Sequence, residues 1–89
     1  MVKQLTNNNY VQTCDMALAT VLLCHGFELV ELKPKRNSSR KIFCFANDEG
    51  VQQAAEQYQT HNLIVEPARF WWTSRWLQSR IDEVERHDD

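Results

Sequence analysis

Gly26-Phe27-Glu28-Leu29-Val30-Glu31-Leu32-Lys33, then Pro34 to Ser39, then Arg40-Lys41-Ile42-Phe43-Cys44-Phe45-Ala46, reads as two strands joined by a turn. Successive side chains of a strand point to opposite faces. In the second strand this puts Ile42, Cys44 and Ala46 on one side and Phe43 and Phe45 on the other. A strand apolar on both faces belongs in the middle of a sheet. The first strand loses its alternation between Leu29 and Val30, which marks either a bulge or a strand covered on both sides. Gly26 stands where a helix arriving from the N-terminal side needs a residue in the left-handed conformation.

On that N-terminal side, Tyr10-Val11-Gln12-Thr13 offers a short strand, and Thr13 is placed to cap a helix from Cys14 to His25, with Asp15 complementing its dipole. Cys14, Ala17, Leu18, Val21 and His25 form one stripe, and Met16 and Leu23 lie nearly opposite. Such a helix is expected to be covered on two sides. Residues 1–9 are polar and rich in asparagine, and are expected to form a flexible N-terminus.

Beyond the hairpin, Asn47 or Asp48 caps a helix reaching about His61, with Val51, Ala54, Ala55 and Tyr58 as its inner stripe. Leu63-Ile64-Val65 is long enough for a short strand. Glu66 is held extended by the proline after it, and Pro67 takes the first position of the last helix. There Phe70, Ser74, Leu77, Ile81 and Val84 align as the core face. The element order is strand, helix, strand, strand, helix, strand, helix. This predicts a two-layer α+β sandwich formed by a single domain over residues 10–81, with an acidic tail at 82–89 that is expected to fray. Its first six elements match the split strand-helix-strand order of ferredoxin-like domains, with an added C-terminal helix.

Eighty-nine residues with 43% hydrophobic content, two prolines and two glycines suffice for one core. A domain of this size buries roughly 60–65% of its unfolded surface and leaves little room for an enclosed substrate cavity, which favours binding over catalysis. Three cysteines, Cys14, Cys24 and Cys44, cannot all pair within one chain and form no Cys-x-x-Cys unit. They suggest a reducing compartment. The opening residues lack the apolar stretch of a signal peptide, and the run from Met16 to Cys24 is half a membrane span, so a soluble cytoplasmic protein is expected.

Chemistry concentrates on the last helix. Trp72 and Trp76 are four residues apart and project away from the core stripe, with Arg69 and Arg80 on the same side. Three readings account for them: burial against another part of the domain, a contact with another protein or a second copy of the chain, or stacking with the bases of a nucleic acid. A second candidate is the hairpin tip, where Lys33, Lys35, Arg36, Arg40 and Lys41 put five positive charges into nine residues. Such a cluster can position phosphates, and it can also protect strand ends from edge pairing. The net charge of -2 conceals it, because residues 82–89 carry five acids against one arginine. Catalysis has little to draw on: Cys14 sits at a helix start with His25 or His61 as a conceivable base, yet it lies on the apolar stripe. No ligand pair has zinc-site spacing, and no metal, cofactor or small-molecule substrate is expected.

Thr13-x-Asp15 opening a helix, Ala19 and Leu22 within it, Gly26-Phe27 closing it, Phe43-x-Phe45, Tyr58, and Pro67-x-x-Phe70 with Arg75, Leu77 and Ile81 together resemble the uncharacterised DUF5659 family of small microbial and phage-borne domains. The resemblance spans roughly residues 10–81 and rests on caps, core positions and breaks. It implies the α+β fold and a microbial or mobile-element origin, and carries no activity with it. The expected function is a small non-enzymatic domain that binds another protein or itself through Arg69, Trp72, Trp76 and Arg80. The alternative is a nucleic-acid-binding accessory protein using the basic hairpin and the two tryptophans.

Overall fold

A computed structural model of the chain describes residues 4–6, 10–34, 40–46 and 49–87, with the side chains of 4–6, 49 and 85–87 outside the description. The elements are β1 (Gln4–Thr6), β2 (Tyr10–Thr13), α1 (Met16–Cys24), β3 (Leu29–Pro34), β4 (Lys41–Ala46), α2 (Glu49–Gln59) and α3 (Pro67–His87). The α+β class holds. One sheet has the order β1-β2-β4-β3, with every neighbouring pair antiparallel. β2 and β3 are therefore parallel, joined through α1, and β4 is inserted between them as the apolar strand of both faces requires.

Register follows the side-chain alternation. Phe45 is opposite Val11 on one side and Leu29 on the other, and Phe43 is opposite Thr13 and Leu32. The pairing of β3 slips between Leu29 and Glu31, so the irregularity at Val30 is a bulge, and it returns Leu32 to the face that Leu29 occupies. Val11, Phe43 and Phe45 pack against Leu18, Ala19 and Leu22 of α1, Val51, Ala54 and Ala55 of α2, and Leu77 and Ile81 of α3 in one core, which puts all three helices on one side of the sheet. Cys44 faces the other side, among Gln12, Glu31 and Lys33, and burial pushes its thiol above the ordinary range.

Three local expectations need correction. α1 starts at Met16, two residues later than the pattern suggested, with Asp15 as its cap. Asp15 Oδ1 accepts from the amides of Ala17 at 2.9 Å and Leu18 at 3.2 Å, whereas Thr13 stays at the end of β2 and its Oγ1 accepts from the Asp15 amide at 3.1 Å. Carboxylate beats hydroxyl here because it reaches two unsatisfied amides at once. The expected stripe is only partly the covered one: Ala17 and His25 are exposed, Cys14 is half-buried before the helix, and Leu18 to Leu22 are buried without a break, because both α2 and α3 pack on α1.

The strand expected at Leu63-Ile64-Val65 is not formed. In a ferredoxin-like sheet that strand would lie beside the first one, but Gln4–Thr6 already pairs with Tyr10–Thr13 along that edge. Residues 1–3 and 7–9 of the expected flexible segment lie outside the described residues, as do the hairpin tip at 35–39 and the capping candidates Asn47 and Asp48. Finally, α3 continues to His87, through the start of the acidic tail where fraying was expected.

The helix ends are defined by backbone chemistry. After α1, Gly26 adopts φ +88, its amide donates to Leu23 O at 3.0 Å and that of Phe27 to Leu22 O at 3.1 Å, a Schellman closure. α2 closes the same way with His61 at φ 63, through amides of His61 to Tyr58 O and Asn62 to Gln57 O. Tyr58 hydroxyl donates to Asp15 Oδ2 at 3.4 Å, tying α2 to the cap of α1, and burial followed by the Asp15 charge raises its pKa. At the start of α3, Glu66 O accepts the first helical bond from Phe70 and its carboxylate accepts from the Arg69 amide at 2.7 Å, with Pro67 in the first position.

A candidate interaction face on the last helix

A helix of 21 residues presents opposite sides to different surroundings. Leu77 and Ile81 close the core with 0% and 8% exposure, and Phe70, Ser74 and Val84 are half-buried beside them, so the inner stripe lies where the periodicity put it. On the far side Trp72 is 64% exposed, Trp71 51% and Trp76 50%. These three indoles are the largest apolar side chains left open among the described residues, together with Ile64 and Val30.

Their arrangement is ordered by one contact between adjacent residues and two across a helical turn. The Trp71 and Trp72 rings meet edge to face with centroids 4.7 Å apart. The Arg75 guanidinium lies 5.0 Å from the Trp71 ring centroid, and that of Arg80 lies 5.9 Å from the Trp76 centroid. Cation–π contacts at exposed positions contribute about 0.5–1 kcal/mol each and hold the rings in place more than they hold the fold together. Arg80 also pairs with Glu83 at 3.0 Å. This surface pair stabilises little, but it offsets part of the positive charge of the face.

Trp71 and Arg75, which the Trp72/Trp76 spacing does not point to, are exposed beside these residues on α3. The i, i+4 spacing of Trp71 and Arg75 was the available signal. Arg69 departs from its expected place at the rim: its Nη1 donates to Cys24 O at 3.2 Å, at the C-terminal end of α1. There the guanidinium meets a carbonyl that the helix leaves unsatisfied and complements the negative end of the dipole. His25 acts nearby, with Nε2 2.9 Å from Ile64 O, and so fixes the loop before α3.

Between these ties lies an open cleft of about 540 Å³, lined by Cys24, His25, Ile64, Val65, Glu66, Ala68 and Arg69. Ala68 is one turn before Trp72, and helical side chains lean toward the N-terminus, so the cleft and the tryptophan face adjoin.

The described basic residues of the hairpin lie on β3 and at the start of β4. Lys33 and Lys41 are half-buried on β3 and β4, Arg40 is exposed just before β4, and Lys35 and Arg36 lie outside the described residues. Among the described residues there is no group of three or more His, Cys, Asp or Glu side chains suited to a metal ion. No described helix is long and apolar enough to cross a membrane.

The chain belongs to the DUF5659 family, a domain of unknown function, whose family model matches residues 8–82. No curated protein and no solved structure matches it.

Proposed function

We propose that this domain works by binding another protein or a second copy of itself through the outer face of α3, with Trp71, Trp72 and Trp76 as apolar anchors and Arg75 and Arg80 at the rim, and that it performs no chemical step of its own. The observation that carries the reading is the exposure of three indoles on one helix whose opposite side already completes the core. Aromatic and arginine side chains dominate the energetics of protein interfaces, and exposed apolar patches of this kind mark contact sites. Rings already held by their arginine neighbours lose less freedom on binding, which favours affinity.

The alternative, a nucleic-acid accessory role, draws on Lys33, Lys35, Arg36, Arg40 and Lys41 for phosphates and on the indoles for bases. It is the weaker reading, because guanidinium groups already lie over the Trp71 and Trp76 rings on which bases would stack and Glu83 offsets Arg80. The two differ in salt dependence. Phosphate contacts release counterions and weaken steeply with salt, whereas an interface centred on tryptophan changes little.

Immobilised wild type and a Trp72→Ala/Trp76→Ala variant, exposed to nuclease-treated lysate at low and moderate salt, distinguish them. Protein retained by wild type at both salt concentrations and lost by the variant is the expected result. Retention that vanishes with nuclease or moderate salt, or that is equal for the variant, contradicts the proposal.

A further inference from the structure

We infer that the partner for this face is a second copy of the chain, docked with its α3 antiparallel about a two-fold axis. The inference rests on the reading of the outer face as a protein-binding surface and adds the identity and orientation of the partner.

Charge distribution along α3 carries the argument. From Pro67 to Ile81 the helix holds Arg69, Arg75 and Arg80 and no acid, while from Asp82 to His87 it holds Asp82, Glu83 and Glu85 against Arg86. Two copies aligned in parallel would set the basic stretches against each other. Antiparallel, the acidic end of each copy, residues 82–87, lies along residues 70–75 of the other, which hold Arg75 and no acid, and the helix dipoles also oppose head to tail. A two-fold contact repeats each favourable pair, so one complementary pair counts twice.

The seam is visible in the spacing. Ala68, Trp72, Arg75, Ser79 and Asp82 recur at alternating intervals of four and three along the exposed side, the rhythm with which one helix meets another. With the axis between Gln78 and Ser79, Arg75 of each copy lies opposite Asp82 of the other. Ser79, small and exposed, sits at the crossing point and allows close approach of the helix axes. Trp72 then covers the far end of the seam, with Trp71 and Trp76 on its two flanks.

The area suits a weak, reversible dimer. At these exposures the three indoles offer roughly 250–400 Å² per copy. With the seam residues of both copies added, the contact approaches the lower limit of about 1,200 Å² for a specific interface.

Sedimentation equilibrium over a concentration series, with wild type, Arg75→Asp, Asp82→Arg and the charge-exchanged double variant, tests orientation and partner together. Acrylamide quenching of tryptophan emission is read on the same samples, and circular dichroism checks folding. Wild type is expected to approach twice the 10.5 kDa chain mass with shielded indoles. Each single variant is expected to dimerise at least tenfold more weakly, and the double variant to recover. A monomeric wild type with quenchable indoles overturns the second copy as partner and leaves the face open to a different protein. A monomer with shielded indoles overturns the binding face as well. A dimer indifferent to both charge reversals, or one that the exchange fails to restore, overturns the antiparallel α3 contact.

Discussion

Leu77 and Trp76 are neighbours in the chain, yet the first has no surface in water and the second has half of it there. The inner side of α3 is built from Leu77 and Ile81, with Phe70 and Val84 at its margins, and meets α1 and β3. The outer side carries three tryptophans, each with more apolar area than any inner residue. A small domain has little burial to spare, so if stability alone had placed the side chains the indoles would face inward. The core is instead completed by smaller residues, and the more apolar surface is presented outward. The lesson is that α3 has two hydrophobic surfaces, of which the fold uses one.

The sharpest way to break this contrast is to truncate the inner side. Leu77→Ala removes a fully buried side chain from the core that α3 closes against α1 and the sheet, and is expected to destabilise the domain by about 2–5 kcal/mol in urea unfolding. A loss of less than about 1 kcal/mol would mean that α3 is only loosely attached and that its two sides are equivalent.

An intermediate effect belongs to Arg69, which stands between the two sides and ties the start of α3 to Cys24 O. Arg69→Ala is expected to cost about 0.5–1.5 kcal/mol, since one charge-assisted bond at a partly solvated site is lost. The same variant should bind partners as wild type does, because the residue serves the fold. Reduced binding at unchanged stability would return Arg69 to the interaction face.

Sequence patterns made the inner side of α3 legible and the outer side only partly so. Phe43 and Phe45 located the central strand, Gly26 and Pro67 located a helix end and a helix start, and Leu77 and Ile81 located the buried stripe, because each reports a local requirement of backbone or burial. β1 had no such signal: Gln4-Leu5-Thr6 is too short to show an alternation of its own, and pairs as a strand with Tyr10–Thr13. That pairing also closed the edge that Leu63-Ile64-Val65 would have joined, so one tertiary event produced two misreadings. Arg69 illustrates the same limit at the candidate site. Its angular position on the helix was correct, but the free carbonyl at the end of α1 that draws its guanidinium away belongs to a residue 45 positions earlier. Trp71 and Arg75, by contrast, were readable from spacing alone.

The smallest expected effect is the most direct test of the central claim, that the outer indoles serve binding and not folding. Urea unfolding of Trp72→Ala/Trp76→Ala beside wild type, followed by circular dichroism at a concentration where the chain is monomeric, measures it. The account predicts stabilities within about 1 kcal/mol of each other and equal slopes, as for substitutions outside a core. A loss of about 3 kcal/mol or more, in the range of core truncations, would contradict it and make the outer face part of the fold.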